Sequence, residues 1–565
     1  MLLASLDERS ELPGAMRSPG PLRHLTLADG TTAATNQIMH LGFRSPLRSC
    51  RRVHFAWLVL LFSIALLLGR QSRAGAAPAE VRVILWFDTE DFLLPADDEA
   101  TLRLCEMLSA RGIRATFKLV GEKARVLESR GRQDVLTALR RHDIGFHSNW
   151  HSVHPTPSEY LCEAGFLDGI AEFVRREGQG AADVRRILHV PTLSCYGQPG
   201  SSWASQAIAA LSAVGVAPEG VPCYVDEGTH VGLDGKPFWF AGALNVYHMA
   251  PNYTRMELHD PEAVKPGKER FTEIAERLAK QSESGLISIF YHPCEWVHRE
   301  FWDGVNFLRG QNPPRSEWKP PGQRSREETE GAFRRFGDYL DHIRSTPGVR
   351  FVTASDLPGL YPDLTRTEGA SNADLVTLSE RILSTESRGL SFQLLNGKAF
   401  SVADQLQLLT QAVGALSEHR APLYPLRTSG VLGPAEQAAR TLPAGTITWN
   451  DFRSSVLDVQ DFLRHENRIP SRVQLGADAV APAVFLGRLA FVFAYQQQFG
   501  SFAGVEGMAI PSSVSLAADA YVAQDTPGVF GGWVIHRSDF RAPRILEIAR
   551  LQAWTLKPAL AGRRN

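Results

Sequence analysis

Val81–Asp91 reads VRVILWFDTED: an apolar run that closes on three carboxylates in its last four positions. An apolar run without strict alternation suits a β-strand covered on both faces, as in a parallel sheet. Similar runs follow it. Ile113–Val120 (IRATFKLV) and Leu286–Tyr291 (LISIFY) read as strands, and so does Val349–Val352. Helical patterns separate them. Leu102, Cys105 and Leu108 sit at helical spacing within Thr101–Arg111; so do Phe271, Ile274, Ala275, Leu278 and Ala279, and further on Phe333, Phe336, Leu340 and Ile343. Strands alternating with helices predict an α/β fold with a mainly parallel sheet, open or closed into a barrel. Residues 80–362, about 280, match one domain of the (β/α)-barrel size.

The chemistry clusters at strand ends. After the short run Asp143–Phe146 comes His147-Ser-Asn-Trp-His151-Ser-Val-His154-Pro155. Scattered histidines are ordinarily surface or core residues, whereas three in so short a stretch after a strand suit a metal site. The four-residue step from His147 to His151 brings both rings to one side if the segment turns helically. The carboxylates Asp88, Glu90 and Asp91 end the first strand, where capping is the plainer role. Two imidazoles and one carboxylate would leave positions open on a divalent ion. Glu90 is favoured over Asp91 as the carboxylate, because alternate strand residues face the same side as Asp88.

In this order the motifs resemble the polysaccharide deacetylases, the family-four carbohydrate esterases. The resemblance rests on FDTED (Phe87–Asp91), HSNWH (His147–His151), GQPGSSW (Gly197–Trp203) and FYHP (Phe290–Pro293), and it covers residues 81–360. It implies a distorted (β/α) barrel that removes acetyl groups from sugars with a divalent metal, zinc first, with cobalt or another divalent ion as alternatives. By the same resemblance Asp88 is the general base. His147, His151 and Glu90 or Asp91 hold the metal, and His292 is the acid. Gln198, Pro199 and Gly200 then belong to the substrate side. Gln198 stands where the family carries an arginine beside its base, and Arg185 or Arg186 are the nearby substitutes. Trp150, Tyr196, Trp203 and Trp296 are candidates to stack on sugar rings, against the commoner fate of buried packing. His154 is the spare histidine, an outer support for the site or an alternative ligand.

The rest of the chain frames this domain. Its 565 residues carry 60 basic against 61 acidic side chains, a net charge of −1, which excludes an overall basic footprint for nucleic acid. Phe55–Gly69 (FAWLVLLFSIALLLG) follows Arg44, Arg48, Arg51 and Arg52 and precedes the small-residue stretch Ala74–Ala79. That pattern predicts a signal peptide over 39–76, cleaved near Ala76, or an uncleaved membrane anchor. Residues 1–38 read as a disordered, over-extended start, with Met39 the conventional one. Export would remove Cys50 and leave five cysteines, hence at least one free thiol.

Residues 363–565 predict a mainly helical accessory domain. Phe400–Val413, Val480–Ala494 and Arg541–Trp554 look alike, either as an internal repeat or as independent helices with common start signals. Arg468–Ala490 resembles the pseudomurein-binding repeats of cell-wall proteins, which implies polymer binding. The expected whole is an exported, metal-dependent hydrolase acting on an acetylated glycan. The rival readings are an amidohydrolase of non-sugar C–N bonds and a cell-envelope carbohydrate-binding protein without turnover.

Overall fold

β1 (Val81–Thr89) is buried along its whole length, and its side chains divide between two cores. Val81, Val83, Leu85 and Phe87 enter the main one; Ile84 and Trp86 enter a smaller one on the opposite face of the sheet. That double burial explains the continuous apolar run. The chain is described by a computed structural model over residues 80–281, 285–385, 388–437, 446–510 and 513–562. The expected leader, with Phe55–Gly69 and Cys50, lies outside the described residues.

Around β1 stand β2 (Thr116–Leu119), β3 (Asp143–Phe146), β4 (Cys195–Tyr196), β5 (Cys223–Val225), β6 (Phe238–Phe240), β7 (Ala243–Val246), β8 (Gly285–Tyr291) and β9 (Val349–Val352). Their order is β6-β7-β5-β4-β3-β2-β1-β8, with β9 beside the first half of β1. Every pair from β5–β7 round to β1–β8 is parallel, and β6–β7 is antiparallel. The sheet is a curled half-barrel, the distorted (β/α) barrel form. Helices cover it as the apolar spacings predict, at Pro95–Ala110, Val264–Ala279 and Arg326–Ser345. The first begins six residues earlier than its apolar stripe, because Pro95 at its first turn already has the helical φ.

A separate core lies in the C-terminal part. Helix Asn372–Thr385, hairpin Gln393–Phe400 and helix Val402–Ser417 form one unit. Helix Trp449–Glu466, hairpin Val473–Val480 and helix Pro482–Phe499 form a second of the same order. The units interlock: the first helix of each packs on the second helix of the other. Two of the three look-alike stretches therefore occupy equivalent places, each a hairpin strand running into a helix. The third, Arg541–Trp554, does not. Its helix Pro543–Gln552 sits in the main core beside the barrel strands.

The chain also crosses back over the position near Asp363. Val522, Phe530, Ile545, Leu546 and Leu556 complete the main core, and the terminal strand Lys557–Pro558 pairs antiparallel with β6. Lys557 Nζ donates to Asp363 Oδ1 (2.7 Å) and Asp404 Oδ2 (2.8 Å), tying the terminal strand to both parts. Cys105, Cys162, Cys195, Cys223 and Cys294 are free thiols. Among the described residues no helix is long and apolar enough to cross a membrane.

Candidate active site

The inner face of β1 continues from Ile84 and Trp86 to Asp88, and Glu90 follows one step beyond the strand end, as the strand period requires. Glu90, His147 and His151 are all buried, and their ligand atoms lie within 4.8 Å of one another. Glu90 Oε2 is 2.8 Å from His151 Nε2 and 3.4 Å from His147 Nε2. A tetrahedral ion with bonds near 2.1 Å separates its ligands by roughly 3.4 Å.

The other ring nitrogens are tied back. His147 Nδ1 lies 3.0 Å from the Gly197 carbonyl oxygen. His151 Nδ1 lies 2.5 Å from Ser152 Oγ, which donates to Asp303 Oδ2 (3.2 Å). Such outer bonds fix the tautomer that turns Nε2 toward a cation. The residues present fit a divalent ion.

The two histidines do not meet through a helical turn. Residues 147–151 form a loop in which Ser148 (φ 66°) and His151 (φ 57°) take left-handed backbone. The His151 N–H donates to Ser148 Oγ (3.0 Å), which closes that turn. Burial pushes the His147 imidazole down toward its neutral form, against the Asp88 charge. Burial would lower His151 as well, but the Glu90 carboxylate beside it raises it. Glu90 is buried, yet His151 and His147 hold its carboxyl well below the usual range. Asp91 is turned elsewhere: its Oδ2 faces His298 Nδ1 at 2.8 Å, and its Oδ1 accepts from the Leu93 N–H.

Asp88 stands at the centre. Its Oδ1 is 2.9 Å from Lys118 Nζ and 3.4 Å from His147 Nδ1; its Oδ2 is 3.8 Å from His292 Nε2. Lys118 is the cation that Gln198 does not supply. It is fully buried on β2 as the register partner of Asp88, and it also faces Asp226 Oδ2 (3.3 Å) and donates to the Val225 carbonyl (2.8 Å). Burial opposes its charge, but Asp88 and Asp226 outweigh burial and raise it. Burial lifts the Asp226 carboxyl to about 6 against the pull of Lys118.

Two glycines make the room. A Cβ on Gly145 would lie 2.6 Å from Cys195 Sγ and 3.0 Å from Lys118 Cγ; one on Gly197 would lie 1.9 Å from Lys118 Nζ. Neither arginine expected here reaches in. Arg186 pairs with Glu128 on an exposed face, and Arg185 lies against Gly215. The sequence does hold a signal for Lys118: it is a charge set between apolar residues in FKLV (Phe117–Val120), the end of a strand-like run.

His292 directly follows β8 and is held from behind. Its Nδ1 lies 2.8 Å from Glu295 Oε1, which also accepts the His292 backbone N–H (2.9 Å), and Arg255 donates to the other oxygen of Glu295. Burial opposes protonation of His292, but Glu295 and the nearby Glu90 and Asp88 charges raise it to about 9. Burial would lift Glu295, yet Arg255 and His292 bring it down to about 2. His292 is thus a charged imidazole, 3.8 Å from Asp88, with a proton to give.

The remaining expected residues divide by burial. Tyr196, Trp203 and Trp296 are at most 1% exposed, so their rings pack in the core and offer no face to a sugar. Trp203 stacks on His230, and Trp296 packs against Phe333 and Phe336. Gln198 braces its own turn, donating to the Gly200 carbonyl (2.8 Å) and accepting from the Tyr224 hydroxyl. The Pro199 carbonyl accepts from the Ser202 N–H, and Gly200 lies under the Trp533 indole. His154 is tied to Glu159 (2.7 Å) and does not face Glu90. Trp150 is 39% exposed. It lines a groove of about 720 Å³ with His151, His154, Tyr160, Arg176 and Trp318.

No protein-family model matches the chain, and no curated protein matches it. Several solved structures are similar over about half of it. One is a Mycobacterium smegmatis protein described as a polysaccharide deacetylase: 12% identical, TM-score 0.32, covering 50% of this chain and 90% of its own. Another is a peptidoglycan deacetylase from Bacillus subtilis: 11% identical, TM-score 0.25, covering 50% and 92%. A third is a family-four acetyl xylan esterase from Clostridium thermocellum bound to cobalt: 14% identical, TM-score 0.24, covering 49% and 90%.

Proposed function

We propose that this chain is an exported, metal-dependent hydrolase that removes acetyl groups from an acetylated glycan. One observation carries the reading. Glu90, His147 and His151 converge beside Asp88, and His292 closes the same site. Zinc fits this donor set, as do cobalt and other divalent ions. A bound ion would supply positive charge that polarises the acetyl carbonyl and eases deprotonation of water.

The chain's own residues do the rest. Lys118 fixes one oxygen of Asp88 and leaves the other toward His292, so Asp88 is oriented to take the proton from the attacking water. His292, kept charged by Glu295, gives its proton to the departing sugar nitrogen or oxygen. The shape of that step is acyl transfer to water: the C–N or C–O bond of the acetyl group breaks, and acetate and the free amine or alcohol result. The apolar run Phe55–Gly69 with its upstream arginines supports export.

Acetate release from chitooligosaccharides, peptidoglycan fragments and acetylated xylan, with and without chelator, tests the reading. Protein purified without chelator should carry about one divalent ion per chain and lose it in the His147→Ala, His151→Ala double variant. Asp88→Asn should keep the ion and lose most turnover. Full activity in metal-free protein would refute the reading, and so would absence of acetate from every acetylated compound.

A further inference from the structure

The aromatic residues nearest the reactive side chains fall into two sets. Tyr196, Trp203, Trp296 and Trp302 are buried to 1% or less. Among the less buried rings that touch the site, Phe290 at the end of β8 stands edge-to-face on His292 (5.7 Å), and two more come from outside the sheet. Phe301 is 38% exposed, and its ring stands edge-to-face on His292 with centroids 4.9 Å apart. Trp533 is half-buried and stands edge-to-face on His151 at 5.6 Å. One flanks the acid and the other flanks the metal-ligand set.

The two come from segments far apart in sequence but share one anchor. Phe301 precedes Trp302, and Trp302 is buried with Phe92, Val120, Phe307 and Ile535 in a small apolar cluster against which Trp533 also packs. The Arg309 and Gly310 N–H groups donate to the Val534 and Ile535 carbonyls (3.0 and 2.7 Å), and Ser201 Oγ donates to the Phe530 carbonyl (2.9 Å). The loop that carries Trp533 is therefore pinned to two barrel loops. Gly200 permits it: a Cβ there would lie 2.2 Å from the indole, so the ring rests directly on that backbone. Large apolar faces left open around a polar site mark a binding surface.

We infer that Phe301 and Trp533 are the substrate platforms of this site, and that the ligand they take is a pyranose ring. A pyranose has a flat C–H face for the aromatic rings and a polar rim for the carboxylates and imidazoles between them. This rests on the hydrolase reading and deepens it: the C-terminal segment supplies part of the substrate site, and the barrel alone presents an incomplete one.

Calorimetric binding of chitotetraose and of acetylated xylotetraose tests it, in an Asp88→Asn background that prevents turnover. Phe301→Leu and Trp533→Leu keep an apolar side chain and remove the ring; each should weaken binding roughly three- to tenfold. Trp533→Phe should recover most of that loss. Circular dichroism and metal content, near one ion per chain, separate this from loss of fold; Phe301, being exposed, gives a second reading if the Trp533 variant unfolds. Unaltered affinity in both Leu variants would overturn the inference. So would tighter binding in Trp533→Leu, which would make the indole a shutter, or failure of the parent to bind either tetrasaccharide. The hydrolase reading fails separately, on acetate release by the wild-type chain, and the binding losses would stand without it.

Discussion

Lys118 Nζ lies 2.9 Å from Asp88 Oδ1, and the two residues are register partners on adjacent parallel strands. The ammonium is fully buried, and a second carboxylate, Asp226, faces it at 3.3 Å. An ion pair this deep sets the orientation of the Asp88 carboxylate, and its loss leaves charge without compensation.

Lys118→Met is therefore expected to lower kcat/KM by about a hundredfold or more and to destabilise the fold by about 3 kcal/mol, the scale for breaking a buried pair. Gly197→Ala should copy the kinetic defect, since its Cβ would lie 1.9 Å from Lys118 Nζ. Steady-state kinetics and urea unfolding measure both. Wild-type kinetics in Lys118→Met would show that Asp88 needs no cation.

The His292 imidazole is raised to about 9 and its partner Glu295 is lowered to about 2. The signs follow from linkage. The stabilisation from His292 is complete below its ordinary value near 6.5 and fades as pH climbs through about 9. That from Glu295 is complete above its ordinary 4.5 and fades as pH falls through about 2. NMR titration of the metal-free chain should place His292 near 9, and Glu295→Gln should bring it down by roughly one unit or more. Under the proposed function, the alkaline limb of the rate profile moves down with it.

Asp91→Asn separates the neighbouring carboxylates. Asp91 faces His298 and accepts from the Leu93 N–H, while Glu90 faces both histidines. Metal stoichiometry should survive Asp91→Asn, with a stability loss of about 1–3 kcal/mol for the disturbed buried contact. Glu90→Gln should lose the metal. Atomic emission on dialysed protein checks both, and the reverse pattern would move the site to Asp91.

A chain ending at Asp363 should not fold as the barrel. It would lose the strand on β6 and the core residues Val522, Phe530, Ile545, Leu546 and Leu556. Leucine-sized core losses cost about 2–5 kcal/mol each, so several exceed the margin of a typical domain. Far-UV circular dichroism of soluble truncated protein is the measurement, and a cooperative native-like transition would show an independent barrel.

Much of the site is legible locally. The apolar run of β1 ending in Asp88 and Glu90 announces a buried parallel strand with carboxylates at its mouth, and the two-residue period picks Glu90 because both facts live in one short stretch. The His147–His151 pair is equally plain, but not the turn that joins them, which depends on left-handed backbone at Ser148 and His151. Aromatic residues misled for a physical reason. Adjacency in sequence to a motif says nothing about which face a ring takes, and Tyr196, Trp203 and Trp296 take the buried one.

The sequence by itself determined the elements: which runs are strands, which spacings are helices, and which side chains could hold a cation. Only the tertiary structure decided the partners. Lys118 meets Asp88 through strand register, Glu295 and Arg255 brace His292 where β8 ends, and Trp533 reaches His151 from the far end of the chain. Such meetings depend on long-range packing of a half-barrel that the C-terminal residues help to complete, and no local periodicity encodes them.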